Sequence, residues 1–214
     1  MESVNLKSKV KVEKNQLKST TRYENIKAYY FLEKVFNNLK KGKTLNIVKY
    51  NKNIKRRINI NINDYKEYSE KYSLIEIEIK PFSNKYGKFI NNEKEEKYYH
   101  ICFDNNEEEV KRNYISKDEE IKIIRIKIDY QVKSFEYLFF DCKCIESIYF
   151  KKFYRNNIND MNLMFYGCSS LKELNLNNFN TNNVTHMNGM FRGCSNDLIM
   201  KIKTQYKNIK EEAF

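Results

Sequence analysis

Proline, glycine and tryptophan are scarce: the 214 residues include one Pro, five Gly and no Trp. So little Pro and Gly excludes a collagen-like chain or a Pro/Gly linker. It also excludes the glycine-rich cradles that hold nucleotide phosphates. There are only two histidines, His100 and His186, far apart in the chain. No Gly-x-Ser-x-Gly, no His-Glu-x-x-His and no other set of nucleophile, base and stabiliser is visible, so the chain reads as not an enzyme. No apolar run approaches the ~20 residues of a membrane-spanning helix. Residues 1–21 are charged and lack the apolar stretch of a secretory signal, so a cytoplasmic location is expected. Five cysteines are an odd number for a disulfide framework, and reduced thiols follow.

What is abundant is Asn, Lys and Ile, at 30, 33 and 23 residues. Lys and Arg exceed Asp and Glu by 12. A biased nucleotide composition enriches these three residue types together, so the charge need not mark a nucleic-acid surface. With 41% hydrophobic residues there is enough apolar material for a core.

The chain divides by pattern. Residues 1–21 form a polar tail. Residues 22–70 read as helical. Tyr29, Leu32, Val35, Phe36 and Leu39 make an amphipathic stripe, Gly42 ends it, and Thr44 opens a second helix carrying Leu45 and Val48. Residues 71–130 read as β-rich. Ile75-Glu76-Ile77-Glu78-Ile79 alternates strictly, and Tyr98 to Phe103 and Ile121 to Ile128 are further strand candidates. Residues 196–214 read as a capping helix, with Asn196 or Asp197 at its start and Leu198, Ile199, Ile202 and Ile209 facing inward.

Residues 131–195 repeat with a period of 26. Ile158 to Ser170 and Val184 to Asn196 agree at seven of thirteen positions. A degenerate copy lies upstream, where Val132, Leu138, Phe139, Cys142, Ile145, Ile148, Phe150 and Phe153 align with apolar or Cys partners. Leu171-x-x-Leu174-x-Leu176 within such a period is a leucine-rich-repeat signature. Leu174 and Leu176 point inward from a short strand, while Glu173, Asn175 and Asn177 point out. Ser147, Tyr149 and Lys151 do the same on the preceding copy, so these six residues line a candidate partner-binding face. Val184, Met187, Met190 and Phe191 recur at helical spacing and predict a short helix closing each coil. Cys142, Cys168 and Cys194 share one repeat position and predict a buried ladder rather than a metal site. No metal or cofactor site is expected.

The run Asp160-Met161-x-x-Met164-Phe165-x-Gly167-Cys168-Ser169-Ser170-Leu171-x-x-Leu174-x-Leu176-x-x-Phe179-x-Thr181-x-Asn183-Val184 resembles the BspA-like leucine-rich repeat. The resemblance implies a solenoid that displays a protein-binding face. The run Leu32-Glu-Lys-Val35-Phe36-Asn-Asn-Leu39, with Leu45-x-Ile47-Val48 and Asn51, resembles an F-box, without its Leu-Pro opening or its Trp. That resemblance implies that Leu32, Val35, Phe36, Leu39, Leu45 and Val48 dock a Skp-like adaptor of a ubiquitin ligase.

The expected fold is therefore α+β: an N-terminal helical hairpin, a small β region and a short C-terminal leucine-rich-repeat solenoid with a capping helix. The expected function is non-enzymatic protein–protein interaction with a partner of unknown identity. Two alternatives stay open. One is an F-box-type substrate adaptor. The other is a basic RNA-binding protein using Lys49, Lys52, Lys55, Arg56 and Arg57, or Lys151, Lys152 and Arg155, beside Tyr50, Tyr149 and Tyr154. Charge runs are usually solvated faces, and no nucleic-acid motif accompanies these.

Overall fold

A computed structural model describes residue 36 and residues 39–214 apart from Asn180. The expected polar tail, and Tyr29, Leu32 and Val35 of the expected first helix, lie outside the described residues. The chain forms two compact units, residues 1–68 and 69–214.

In the first unit, the helical hairpin expected over residues 22–57 is not what the described residues form. Three short helices follow one another instead: α1 (Lys41–Val48), α2 (Lys52–Arg57) and α3 (Ile62–Tyr72), the last running across the boundary between the units. Gly42 lies in the first turn of α1, not at the end of an earlier helix, because the break falls at Lys40, whose ψ of 135° is extended. Thr44 is inside α1, where its hydroxyl donates to the Phe36 carbonyl at 3.4 Å. Asn51 caps α2 by accepting the Ile54 N–H at 3.0 Å, as an N-cap Asn should. Leu45 and Val48 are buried, and Tyr65 of α3 donates its hydroxyl to the Leu45 carbonyl.

The second unit is built on a mixed five-stranded sheet. Its strands are β1 (Ile75–Pro81), β3 (Tyr99–Phe103), β5 (Ile124–Ile128), β6 (Ile145–Lys152) and β7 (Glu173–Asn175). A second, two-stranded sheet pairs β2 (Gly87–Lys88) with β4 (Tyr114–Ile115). The order in the large sheet is β3-β5-β1-β6-β7. Neighbours are antiparallel except β6 and β7, which run parallel. The strict alternation in β1 does what the period demands: Ile75, Ile77 and Ile79 are buried, with Glu76 and Glu78 on the other face. Ile124, Ile126 and Ile128 of β5 join them, directly opposite across the ladder.

The short C-terminal leucine-rich-repeat solenoid expected for the repeats, capped by the upstream strands, is not present. Their strands, β6 and β7, are the last two strands of the mixed sheet, and β6 pairs on its other side with β1. Coils that contact only their neighbours need about three copies to enclose a core. Two repeat strands, one of them three residues long, cannot do so, and the antiparallel strands complete the sheet.

On the side away from the strands, the repeat units do stack at the 26-residue offset. Isolated parallel bridges join Ser134 to Asp160 and Asp160 to His186. The N–H of Phe139 donates to Met164 and that of Phe165 to Met190, at 2.8 and 2.9 Å. The C-terminal segment adds a further rung, since Phe191 donates to Ala213 at 2.7 Å. Phe139, Phe165, Phe191 and Phe214 form a column with ring centroids 5.4, 5.6 and 5.4 Å apart. Two of the buried thiols tie one unit to the one before: Cys168 donates to the Phe139 carbonyl at 3.0 Å and Cys194 to that of Phe165 at 3.2 Å.

The short helix predicted around Met187 and Met190 is instead a run of turns. The reason is local. Each unit has two left-handed residues, at Tyr137, Leu163 and Gly189 (φ 60°, 53°, 58°) and at Asp141, Gly167 and Gly193 (φ 56°, 71°, 81°). An α-helix of L-residues cannot contain such positions. Ser195, not Asn196 or Asp197, caps the final helix α4 (Asn196–Gln205) by accepting the Leu198 N–H. α4 buries Leu198 and Ile202, while Ile209 lies beyond its end.

Gly193 is the glycine that the stacking requires. A Cβ there would lie 3.2 Å from both the Cα and the N of Gly167 in the unit before, on top of the left-handed φ. Asp141 holds the same position in the first unit with a side chain. Gly193→Ala is expected to cost about 1–3 kcal/mol in urea denaturation, the range for a strained left-handed residue. Asp141→Ala is expected to cost less than half as much. Leu174→Ala, at a buried position with 7% exposure, is expected to cost about 2–4 kcal/mol.

Candidate functional site

The large sheet buries one face and leaves the other to polar side chains. The register places Cys102, Arg125, Glu78, Tyr149 and Asn175 in one row across all five strands. Lys80, Ser147 and Glu173 form the next row over β1, β6 and β7. At the β7 end this face meets α4, and a groove of ≈ 650 Å³ lies between them.

Five of the six residues expected on the partner-binding face line this groove: Ser147, Tyr149, Glu173, Asn175 and Asn177. The sixth, Lys151, does not. A register shift on β6 pairs Ile77 with Phe150 and Glu76 with Lys152, so Lys151 falls in the bulge between them. Its ammonium lies 3.4 Å from Glu78 and 4.4 Å from the centroid of the Tyr149 ring. Its contribution to the face is to steady Tyr149.

The opposite wall of the groove comes from α4, with Lys201, Gln205 and Tyr206. The sequence pattern marks 196–214 only as a cap. The repeat offset of 26 carried a signal that could have found this wall, since it sets residues 199–201 against the strand Glu173–Asn175. Tyr206 closes one end of the groove: its hydroxyl accepts the Leu176 N–H at 3.0 Å and donates to Asn177 Oδ1 at 3.3 Å. At the rim, Glu146 lies between two cations, with Lys80 at 2.7 Å and Lys172 at 3.2 Å. The hydrogen bond from Lys80, then that from Lys172, holds its carboxyl below the usual carboxylate value. Lys172 and Lys85 also lie 4.5 and 4.6 Å from the centroid of the Phe82 ring.

Of the apolar residues assigned to an adaptor, the described ones are not displayed. Phe36, Leu45 and Val48 are buried and Leu39 is half-buried. Leu32 and Val35 lie outside the described residues. Nor are the members of the second basic cluster free. Lys152 pairs with Glu76 at 2.7 Å. Arg155 is fully buried, and its Nη1 donates to the carbonyls of Asp129 and Val132, both at 3.0 Å. Burial pulls its guanidinium down to about 10, which leaves it charged at neutral pH. In the first cluster, Lys55 lies over the Tyr65 ring and Lys49 over the exposed Tyr50.

Among the described residues, no group of three or more His, Cys, Asp or Glu could hold a metal ion, and no helix is long and apolar enough to cross a membrane. His100 sits between carboxylates, with Nδ1 at 2.8 Å from Glu109 and Nε2 at 3.6 Å from Asp129. The His186 ring contacts the Thr185 hydroxyl at 2.8 Å.

The repeat region also carries a match to a known family. A family model described as a Mycoplasma protein of unknown function, DUF285, matches residues 130–210, under half of the chain. The likeness spans the stacked units, the groove's two repeat strands and α4. It brings no leucine-rich-repeat or F-box assignment. No curated protein and no solved structure matches the chain.

All five cysteines are free thiols. Burial pushes Cys144 up to about 11 and Cys194 up to about 12, and raises Cys142 and Cys168 well above the usual thiol value. A raised thiol pKa leaves almost no thiolate at pH 8. Iodoacetamide at that pH is expected to modify the half-buried Cys102 first, with the other four alkylated only after denaturation. Peptide mass spectrometry over a time course checks this; early labelling of Cys168 or Cys194 would contradict the packing described.

Proposed function

We propose that this chain is a non-enzymatic protein-interaction module, and that its partner occupies the groove between the β6–β7 face and α4. The observation that carries this reading is the convergence of Ser147, Tyr149, Glu173, Asn175 and Asn177 on one open cleft beside α4. Tyr149 stands at its floor, 39% exposed although it is in the middle of a strand. Tyrosines of this kind dominate protein interfaces, because they bring contact area at low entropic cost and a polar tip. The resemblance of the 26-residue unit to BspA-like repeats supports the same kind of role, since such repeats display a face to partners. Five free, mostly buried thiols fit a reducing compartment, so we place the module in the cytoplasm.

The test is recovery of partners from the native cell by the full chain and by the double variant Tyr149→Ala/Asn175→Ala. Tyr86→Ala, at an exposed tyrosine that does not line the groove, is the control. The double variant is expected to lose about tenfold or more in partner recovery, the usual effect of removing a central aromatic contact. The control is expected to behave as wild type. Equal recovery by all three proteins would remove the groove from consideration.

A further inference from the structure

Among the described residues, the groove runs along an unpaired strand edge: β7 is the last strand of its sheet and is bonded only to β6. Lys172 gives its N–H to the Glu146 carbonyl of the preceding unit at 2.8 Å. Backbone groups of successive strand residues alternate in direction, so those of Glu173 and Asn175 turn to the outer edge.

The repeat explains why this edge is open. Away from the strands, the units stack at the 26-residue offset through Phe165 and Phe191 and on to Ala213. Along the strands, the ladder stops after β7. The residues due in the next place, 199–201, are within α4. The helix covers the core with Leu198 and Ile202, while Lys201 and Gln205 stand exposed on the groove side. Among the described residues, the side chains of Lys201 and Gln205 have no bonded partner. Beyond β7, the Leu176 N–H is taken by the side-chain hydroxyl of Tyr206.

We propose that the groove takes an extended, acidic segment of a partner protein, which adds to the edge of β7 as a sixth strand. This deepens the interaction reading above and rests on it. Main-chain hydrogen bonds to an exposed edge supply affinity, and the groove's side chains supply selection at alternate residues of the guest. The selection is for carboxylates. On one wall Lys201 has no bonded partner among the described residues, and at the other rim Lys80 and Lys172 share Glu146, so three lysines stand against two carboxylates, Glu146 and Glu173. Ser147 and Gln205 add hydrogen-bonding groups that suit polar guest residues between them. The guest is short, because β7 has three residues and Tyr206 blocks the groove at Asn177.

The test uses the full chain and three labelled ten-residue peptides. One alternates Thr and Glu, one alternates Thr and Lys, and one is the Thr/Glu peptide with alternate backbone nitrogens methylated. Fluorescence anisotropy at low salt is expected to show binding of the Thr/Glu peptide, and at least tenfold weaker binding of each of the other two. Lys201→Glu, at an exposed helix position that leaves the fold intact, is expected to weaken the Thr/Glu peptide about tenfold. Equal binding of the methylated peptide overturns strand addition. Equal binding of the Thr/Lys peptide, or no effect of Lys201→Glu, overturns the acidic selection. If no peptide binds while partner recovery still depends on Tyr149 and Asn175, strand addition fails and the interaction reading survives. If neither holds, both fail.

Discussion

Phe165 lies flat between Phe139 and Phe191, and its backbone N–H reaches directly to the next unit. This register, one unit set on the next at 26 residues, constrains everything from residue 134 to the C-terminal Phe214. It favours glycine at position 193, where φ is left-handed and a Cβ would lie 3.2 Å from the backbone of Gly167. It requires a small, apolar donor at the Cys positions, where the thiol meets a carbonyl of the unit before. It also employs the asparagines. Asn178 donates to the carbonyls of Phe150 and Lys151, Asn183 to Asn156, and the N–H of Asn188 finds Asn162 Oδ1. An amide side chain can bridge two coils in this way because it offers a donor and an acceptor on a short stem.

The same register explains the groove. Two parallel strands could not enclose a core alone, so β6 joins the antiparallel strands and the sheet becomes mixed. The third place in the parallel ladder is filled by a helix. Ser195 supplies a cap, and Leu198 and Ile202, four residues apart, supply one apolar helical face. A helix is wider than a strand and cannot lie in the ladder, so it sits back and leaves a cleft. The edge of β7 is exposed there, in a place where natural sheets usually keep edges short or covered. Here the edge is short, partly covered by α4 and capped at one end by Tyr206.

Some of this was legible in the residues. The alternation at Ile75 to Ile79 placed β1 and its buried face. The repeat spacing placed the Cys ladder and the outward-facing residues Ser147, Tyr149, Glu173, Asn175 and Asn177. What was not legible has physical causes. Met187 and Met190 are spaced as in a helix, but a turn with two left-handed residues brings the same side chains inward, and apolar spacing does not distinguish the two. Thr44 and Gly42 are boundary residues by type, yet the extended Lys40 sets the boundary of α1. Lys151 has the right parity for the exposed face, but the bulge breaks that parity one residue earlier. Arg155 looks like a surface cation beside two lysines. It stands at the repeat position of Thr181, which is also buried, and it satisfies two carbonyls that a threonine could not reach.

The excess of 12 positive charges is then of little help in locating function. On the sheet face, most of the lysines near the groove are already matched. Lys152 and Lys151 pair with Glu76 and Glu78, and Lys80 and Lys172 share Glu146. Exposed pairs of this kind contribute little to stability and are screened by salt. What they do is reduce the field over the face. Lys201 is the exception on the groove wall. Among the described residues its ammonium has no counter-ion, and across the groove from it the edge of β7 has no pairing strand. An acidic extended segment is the simplest chemistry that meets both.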